Sequence, residues 1–477
     1  MSGFKLLIGG KLVEGDLSMD VINPATEEVL AVAPCASAEQ LDAAIAAAKS
    51  AFKPWAGLSH AERRACLLKL ADAVEATRDE LARLITQEQG KPITEATQEV
   101  VNSVVCLRHF AEQQLPVTVL EDSDVRRVEQ HHHPLGVVGC IIPWNYPLLI
   151  ASYKLGPALI TGNCVVIKPS PTTPLATLKL GELCAGIFPA GVINIITDQN
   201  NLGEQLSRHP DIAKISFTGS TETGKKVMAS SASTLKRLTL ELGGNDAAIV
   251  MADADPVAVA PAIFRGATVN AGQVCLAIKR VYAHESIYDT LCDELAKLAS
   301  ATVVDDGLKQ GTQMGPLQNR MQFDKAKTYL ADAHAHGTVV AGGEVMSGIG
   351  YFVQPTIVRD ITDGTKLVDE EQFGPILPVI KYSDARDAVA RANASIWGLT
   401  GSIWGKDRAA AHALAREMEA GTVWLNQHFD APPHIPFGGA KQSAIGVEFS
   451  DEGLRELTQM QIINEAKAPA SQALAAG

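Results

Sequence analysis

An apolar strand runs into a glycine turn and the start of a helix at Ile215-Ser216-Phe217-Thr218-Gly219-Ser220-Thr221-Glu222-Thr223-Gly224-Lys225-Lys226. Free backbone N–H groups at the beginning of such a helix attract phosphate or pyrophosphate. The spacing from Gly219 to Lys225 approaches that of a nucleoside triphosphatase loop, but Lys226 stands where that loop requires a serine or threonine to hold Mg²⁺. The G-x-G-x-x-G signature is also absent. Any dinucleotide at this turn must therefore bind in a variant manner.

Short apolar strands and helices alternate on both sides of this turn. The pattern predicts strands at 137–142, 164–167, 192–197 and 214–217, with a helix at 175–187. A second region of the same kind begins after residue 241, with predicted strands at 247–250, 281–284 and 423–425. Strands of this length joined by helices indicate right-handed βαβ units in parallel sheets, so we expect an α/β fold.

The other segments carry simpler signals. Residues 4–13 are predicted to form a hairpin, and a helical region should follow, because Ser37 and Ser59 each begin a capping box. The segment 117–133 mixes charged and β-branched residues, as in an exposed two-stranded arm whose edge needs a partner sheet or subunit. The tail from Ala466 is predicted to be disordered.

The composition excludes several classes of function. A chain of 477 residues with 46% hydrophobic and 20% charged residues is typical of a soluble protein of two domains. The net charge of −13 and the lack of a basic stripe argue against nucleic-acid binding. No apolar run reaches the ~18 residues of a membrane span. The N-terminus shows no signal peptide, so a cytoplasmic location is expected.

Cysteines and histidines give no sign of a metal site. The eight cysteines contain no C-x-x-C pair, and seven of them are expected to be reduced, buried thiols. His131, His132 and His133 would point to alternating faces of a strand and could not converge on one ion. We therefore predict no metal.

The eighth cysteine lies in a setting that suits catalysis. Cys275 follows the small, polar run Asn270-Ala271-Gly272-Gln273, and Glu241 opens the glycine-tight run Glu241-Leu242-Gly243-Gly244-Asn245. A thiol nucleophile and a carboxylate base are the two groups needed to form an acyl-enzyme and then hydrolyse it. A buried structural cysteine remains the alternative for this loop alone.

Two further motifs could serve such chemistry. Asn145 lies between aromatic residues and prolines in Pro143-Trp144-Asn145-Tyr146-Pro147, where a fixed amide could donate to a developing oxyanion; a structural turn is the alternative. Lys168 ends a predicted parallel strand, at the edge where such sheets bind ligands; a solvated lysine is the alternative.

In order and spacing, these motifs together resemble the aldehyde dehydrogenase superfamily over residues 4–465. The resemblance implies that Cys275 is the nucleophile, Asn145 the oxyanion donor and Glu241 the base that activates water, with Lys154 and Glu448 as a proton-relay pair. The residues that it places at the cofactor are Ile142, Pro143, Trp144, Lys168, Ser170, Gly203, Phe217, Gly219, Ser220, Leu242, Gly243, Glu371 and Phe373.

The implied reaction is the NAD(P)-dependent, hydrolytic oxidation of an aldehyde to a carboxylic acid through a thiohemiacetal and a thioacyl intermediate on Cys275. The implied fold is a Rossmann-like cofactor domain (1–116 and 134–241), a second α/β catalytic domain (242–441), and an oligomerisation element made of the arm 117–133 and the C-terminal segment 442–470. A homodimer or homotetramer is expected.

Some positions depart from the family pattern. Pro171 stands where many members have a glutamate that accepts a hydrogen bond from the ribose 2′-hydroxyl and would repel a 2′-phosphate, so strict use of NAD is not expected. NAD is kept as the preferred cofactor, and NADP remains possible. Val447 replaces the arginine of Gly-Arg-Glu, and Ala444 replaces the second glycine of Gly-Tyr-Lys-x-Ser-Gly.

The substrate pocket that the resemblance implies is apolar and aromatic. Its residues are Tyr146, Ile150, Tyr153, Val274, Leu276 and Phe429. We therefore expect aliphatic or aromatic aldehydes rather than phosphorylated or carboxylated ones. Three alternatives remain: a CoA-acylating relative, which Glu241 disfavours; a cysteine hydrolase or acyl transferase without nicotinamide, which lacks a recognisable Cys–His pairing; and a non-catalytic protein on this fold.

Overall fold

The computed structural model describes residues 3–467, and the greater part of the tail predicted to be disordered lies outside this range. The N-terminal part contains two hairpins and four helices. Their bounds are β1 Leu6–Ile8, β2 Lys11–Val13, β3 Leu17–Ile22, β4 Val29–Cys35, α1 Ala38–Ala56, α2 His60–Ala76, α3 Arg78–Gln89 and α4 Ile93–Ala111. Both predicted capping boxes form, at Ser37 and Ser59.

The hairpin of β3 and β4 corrects the prediction that helices follow directly after the first hairpin. The first of the two strands alternates apolar and polar residues over most of its length, at Leu17-Ser18-Met19-Asp20-Val21. This period of two favours a half-buried strand. The pairing runs from Leu17 opposite Cys35 to Ile22 opposite Val29.

The next elements build an arm and then alternate strands with helices. Their bounds are β5 Thr118–Asp122, β6 Arg126–Pro134, β7 Val137–Ile141, α5 Pro147–Ile160, β8 Cys164–Lys168, α6 Leu175–Cys184, β9 Ile193–Ile195, α7 Gly203–Arg208, β10 Lys214–Thr218, α8 Thr221–Ser231 and β11 Arg237–Glu241. All four predicted strands are present. The predicted helix at 175–187 and the strand at 192–197 are shorter than expected.

A second alternating series follows. Its bounds are β12 Asp246–Val250, α9 Pro256–Thr268, β13 Ile278–His284, α10 Tyr288–Ala301, α11 Arg320–His336, β14 Thr338–Ala341, β15 Thr356–Arg359, α12 Lys366–Asp369, β16 Ile376–Tyr382, α13 Ala385–Asn393, β17 Trp397–Gly398, β18 Thr400–Trp404, α14 Arg408–Glu417, β19 Thr422–Leu425, β20 Ala440–Lys441, β21 Ala444–Ile445, α15 Ser450–Arg455 and β22 Thr458–Ala466. Short 3₁₀ turns occur at Ala232–Thr234 and Val269–Gly272.

Two large sheets organise the chain. The first has eight strands in the order β2-β1-β9-β8-β7-β10-β11-β21, and β7 to β11 run parallel. The second has seven strands in the order β14-β15-β16-β13-β12-β18-β19. Apolar clusters pack around both sheets. The predicted α/β class, with a Rossmann-like sheet and a second α/β unit, is confirmed.

The order of the first sheet reverses between β7 and β10. From β7 the chain adds β8 and β9 on one side, then crosses over to add β10 and β11 on the other. In open α/β sheets, ligands bind outside the carboxyl ends of the strands at such a reversal. Asn145 follows the end of β7, and Gly219 and Ser220 follow the end of β10.

The arm is a three-stranded antiparallel sheet in the order β22-β6-β5. The predicted two strands are both present, and the C-terminal strand β22 pairs along the whole of β6. Its apolar side chains are unusually exposed: Val119, Leu120, Met460, Ile462 and Ile463. Among residues 3–467, no helix is long and apolar enough to cross a membrane.

Candidate active site

A strained turn presents Cys275. Asn270, Ala271 and Gly272 all have positive φ, at 52°, 53° and 72°. A Cβ at Gly272 would collide with the carbonyl oxygen of Gly374, so only glycine fits there. The Asn270 backbone N–H donates to Glu95 Oε2 at 2.9 Å. Two left-handed non-glycine residues in succession are costly, and such strain concentrates at functional sites.

Cys275 is partly accessible to solvent but is surrounded by charged groups. Burial of much of the side chain raises the pKa of its thiol, and the charges of Glu241, Asp246 and Glu371 add to the rise. The positive charge of Lys279 opposes it. In this state the thiol is therefore protonated at neutral pH, and Glu241 lies close enough to affect it.

Asn145 is joined to the cysteine loop by hydrogen bonds. Its Nδ2 donates to the carbonyl oxygen of Gln273 at 3.0 Å, and Asn270 Nδ2 donates to the carbonyl oxygen of Asn145 at 3.1 Å. The Asn145 side chain is buried. A carboxamide carries two N–H hydrogens, so one remains for a ligand oxygen after the bond to Gln273.

A buried ion pair, which the sequence analysis missed, fixes Asn145 from behind. Lys91 Nζ lies 2.6 Å from Glu99 Oε2 and donates to the carbonyl oxygen of Asn145 at 2.8 Å. The other oxygen of Glu99 accepts from the backbone N–H groups of Leu148 and Leu149, in the first turn of α5. A carboxylate at that position is stabilised by the free N–H groups and the dipole of the helix. The only signal in the sequence was the spacing of Lys91, Glu95 and Glu99, which follow one another at intervals of four residues.

Glu241 ends β11 and is buried. Its Oε1 has no hydrogen-bond partner among the described residues. Burial raises its pKa well above the usual range, Glu448 adds to the rise, and Lys154 opposes it. Lys154 Nζ lies 2.7 Å from Glu448 Oε1 and 2.7 Å from Ser216 Oγ. Glu241, Lys154 and Glu448 therefore lie close together. Glu241 also lies close enough to Cys275 to affect the pKa of its thiol.

The residues predicted at the cofactor surround the reversal point of the first sheet. The Ile142 N–H donates to the carbonyl oxygen of Lys168 at 2.9 Å, beside Pro143. Ser220 caps α8, and Phe217 is buried beneath Gly219, where a Cβ would come within 2.5 Å of the ring. The free backbone N–H groups at the start of α8 can donate to a pyrophosphate. Gly219, which has no room for a Cβ, lies beside them and lets the ligand approach the backbone.

A second set of predicted cofactor residues meets across the cleft between the two sheets. The rings of Trp144 and Phe373 lie edge to face, 5.4 Å apart. Glu371 Oε1 accepts from the Gly244 N–H at 3.0 Å, and a Cβ at Gly243 would come within 2.5 Å of Glu371 Oε2. Leu242 packs against Gly224 in α8. Residues far apart in the sequence therefore line one site, and they fit a dinucleotide.

Lys168 has a partner that the sequence analysis did not identify. Its Nζ lies 2.7 Å from Asp198 Oδ1, both side chains are buried, and Asp198 Oδ2 accepts from the Leu202 N–H at 2.8 Å. Gly203 lies next to the lysine, since a Cβ there would be 3.6 Å from Lys168 Cε. The hydroxyl of Ser170 contacts Thr172. The signal was present: Asp198 comes shortly after β9, which is parallel to β8 and ends at the same edge.

The predicted substrate residues are apolar or aromatic, and several of them lie near Cys275. Burial raises the pKa values of Tyr146 and Tyr153 well above the usual range, and a charged Cys275 would add to both rises, so both rings lie near the thiol. Ile150 and Val274 are buried. His428 Nε2 contacts the carbonyl oxygen of Leu276 at 2.8 Å and packs edge to face on Phe429.

Two pocket residues were missed in the sequence. Burial lowers the pKa of His428 to about 4, so its ring is neutral at physiological pH. Phe449 packs edge to face on Tyr153, with ring centroids 5.1 Å apart, and has a positive φ of 66°. No local pattern in the sequence marks Phe449, whereas His428 adjoins the predicted Phe429.

Comparison with known proteins identifies the family of the chain. The model of the "Aldehyde dehydrogenase family" matches residues 12–463. A phenylacetaldehyde dehydrogenase of Pseudomonas fluorescens is 40% identical over 95% of this chain and 94% of its own length. The NAD+ complex of an aldehyde dehydrogenase from Bacillus cereus has a TM-score of 0.95 and 38% identity, covering 98% of this chain and 97% of that one. An NADP-dependent enzyme of E. coli has a TM-score of 0.95 and 34% identity, covering 97% and 98%.

The chain therefore belongs to the aldehyde dehydrogenase family. It is an NAD(P)-dependent enzyme that oxidises an aldehyde to the carboxylic acid, as predicted. The comparisons give no support to a CoA-acylating enzyme or to a hydrolase without nicotinamide.

Proposed function

We propose that Cys275, Asn145 and Glu241 carry out this reaction by the hydrolytic route. The observation that carries the proposal is their convergence: three residues from separate elements are joined by the bond from Asn145 to Gln273 and by the effect of Glu241 on the thiol of Cys275. Ile142 to Trp144, Lys168, Ser220, Glu371 and Phe373 would hold the dinucleotide. When bound, its nicotinamide accepts the hydride of the aldehyde.

Each residue has a defined step. The Cys275 thiol loses its proton to solvent and adds as the thiolate to the aldehyde carbonyl, and the oxyanion that forms receives hydrogen bonds from the Asn145 amide and the Cys275 backbone N–H. After the oxidation, the acyl group is bound to Cys275 as a thioester. Glu241 takes a proton from the water that attacks this thioester, and the raised pKa makes its carboxylate a stronger base. The adjoining Lys154–Glu448 pair offers a route for that proton.

The cofactor preference that we propose is NAD, supported by Asp198. The Asp198 carboxylate forms an ion pair with Lys168 and neutralises the positive charge that would otherwise attract a 2′-phosphate. A 2′-phosphate there would also be repelled by the buried anion, whereas an uncharged 2′-hydroxyl could donate to it.

This preference can be tested with Asp198→Asn. We expect the variant to keep the Leu202 contact and to lower the ratio of the NADP+ to the NAD+ dissociation constant by about tenfold, because the like-charge repulsion is removed. Calorimetric titration of the enzyme with each dinucleotide measures both constants without turnover. Asp211→Asn, which removes a partly exposed carboxylate paired with Lys49, is the control and should leave the ratio unchanged. An unchanged ratio in Asp198→Asn would refute the role of Asp198.

The substrates that we propose are apolar aliphatic or aromatic aldehydes, including phenylacetaldehyde. The apolar and aromatic residues near Cys275 support this proposal. A carboxylate that entered the pocket would lose its hydration without a counter-charge that contacts it. Arg265 is exposed, and its positive charge opposes the rise in the pKa of Tyr146.

A panel of aldehydes tests the pocket. We expect kcat/KM for hexanal, benzaldehyde and phenylacetaldehyde to exceed that for succinate semialdehyde by at least about tenfold, because burying an unpaired carboxylate costs more than ~1.4 kcal/mol. The methyl ester of succinate semialdehyde is the matched control, since it keeps the length and removes the charge. Succinate semialdehyde should not exceed its ester. If it does, and if Arg265→Gln abolishes the advantage, the pocket selects acidic substrates.

We further propose that 1–116 and 134–241 bind the cofactor, that 242–441 form the catalytic domain, and that 117–133 and 442–470 mediate a homodimer or homotetramer. The exposed apolar side chains of the arm support self-association. Within the C-terminal segment, β21 pairs with β11 and β22 pairs with β6, so the segment also completes the first sheet. The cytoplasmic location stays a prediction.

A further inference from the structure

Lys279 lies directly behind the loop that carries Cys275. It is the second residue of β13, and its side chain is buried. Its Nζ donates to the carbonyl oxygens of Val274 at 2.8 Å, Cys275 at 3.0 Å and Ala277 at 3.4 Å. The ammonium group therefore holds three carbonyls of the loop and brings a positive charge to the backbone of Cys275.

This charge differs from that of the other buried lysines. Lys91, Lys154, Lys168 and Lys214 each lie within 3.4 Å of a carboxylate oxygen. Within residues 3–467, Lys279 forms no ion pair within 4.0 Å, and its nearest partners are uncharged carbonyls. Burying a cation without a contacting counter-ion is costly, so the Lys279 charge must be offset by anions farther away; one of these is Asp246, where Lys279 opposes the rise in the carboxyl pKa.

The groups around Cys275 leave Lys279 as the cation that could stabilise an anion on its sulfur. Glu241 approaches from β11, Asp246 from β12 and Glu371 from the loop after α12, and all three would repel a thiolate. The phenol groups of Tyr146 and Tyr153 approach from α5 and are neutral. The Lys279 charge alone acts in the opposite direction among these groups.

We propose that Lys279 is a positioning residue that stabilises the Cys275 thiolate by placing a positive charge, which no carboxylate contacts, behind the nucleophile loop. The proposal rests on the proposed role of Cys275 as the nucleophile. It assigns two effects to one side chain. The hydrogen bonds fix the carbonyls of the loop, and the charge favours the anion that attacks the aldehyde.

Alkylation of Cys275 separates these two effects. Thiols react with iodoacetamide as thiolates, so the rate follows the ionised fraction. The rate is measured against pH from the modified Cys275 peptide by mass spectrometry, in the enzyme without substrate, so turnover is not needed. We expect the midpoint of the profile to rise by about one pH unit or more in Lys279→Gln and in Lys279→Met. The rate at a fixed pH below the midpoint should then fall about tenfold. Lys279→Arg, which keeps the charge, should stay near wild type.

The variants distinguish charge from shape. Lys279→Gln can still donate to the carbonyls of the loop, so a shifted profile in this variant reports the missing charge. If Lys279→Met does not fold, Lys279→Gln and Lys279→Arg decide the question. Lys214→Met, at the opposite end of β10 from the site, is the control for loss of a buried lysine and should keep the wild-type midpoint.

Midpoints that coincide in wild type, Lys279→Gln and Lys279→Arg would overturn the proposal, as would a slower reaction at an unchanged midpoint. The proposed function fails by a different result. Turnover that survives Cys275→Ala would refute the nucleophile, whatever the alkylation profile of Cys275 shows.

Discussion

Replacing Cys275 with alanine is expected to abolish both steady-state turnover and the first burst of reduced nicotinamide. Without the sulfur, the aldehyde cannot form the thiohemiacetal from which the hydride leaves. The substitution removes only one sulfur from a partly accessible side chain, so the fold and dinucleotide binding should be retained. Stopped-flow absorbance of the reduced cofactor, with calorimetric titration of the dinucleotide in parallel, measures both properties.

Cys66→Ala is the matched control, because Cys66 is also a partly accessible thiol but lies in α2, away from the cleft. Its turnover should be close to wild type. A burst of reduced cofactor in Cys275→Ala would show that the sulfur of Cys275 does not attack the aldehyde.

Replacing Glu241 with glutamine is expected to separate the two halves of the reaction. The hydride step needs no base at Glu241, so a burst of about one reduced cofactor per site should remain. Steady-state turnover should then fall by ~10²–10⁴, because water attacks the thioester without general-base assistance. The acyl-enzyme should accumulate and be visible by mass spectrometry as acylated Cys275.

The pH dependence supports the same assignment. Burial raises the pKa of Glu241, so in wild type the carboxylate is protonated below this raised pKa and becomes a base above it. Hydrolysis of the acyl-enzyme should therefore speed up as the pH rises through that pKa, and the rise should disappear in Glu241→Gln. Glu75→Gln, an exposed change in α2, should keep both burst and turnover. Loss of the burst in Glu241→Gln would assign Glu241 to the first half of the reaction instead.

The parts of the site that the sequence predicted are those encoded in short, contiguous motifs. Cys275, Glu241 and Asn145 each lie in a run of small residues or prolines whose backbone geometry follows from local sterics. The α/β fold was predictable for a similar reason, since apolar strands of five residues and amphipathic helices each carry their own period. The β3–β4 hairpin was missed because the long helices after it dominated that region.

Apart from the Lys154–Glu448 pair, which the family resemblance implied, residues that act through long-range pairs were not predicted. Glu99 and Asp198 are charged residues in ordinary local settings. Only tertiary packing pairs Glu99 with Lys91, which holds Asn145, and pairs Asp198 with Lys168. Lys279 is close to Cys275 in the sequence, but its lack of a carboxylate partner can be seen only in three dimensions. Sequence patterns therefore identified the reacting groups better than the groups that position them and set their electrostatic environment.

The hydrogen bonds between Asn145 and the Cys275 loop also restrict the relative motion of the two large sheets. Asn145 comes from the first sheet and Gln273 and Asn270 from the second, so the two units are fastened together at the reacting atoms. Separating them would leave buried polar groups unpaired, at about 1–3 kcal/mol each. We therefore expect the two units to stay joined at the reacting atoms during turnover, so that substrate range is controlled by the side chains around Cys275 and not by hinge opening.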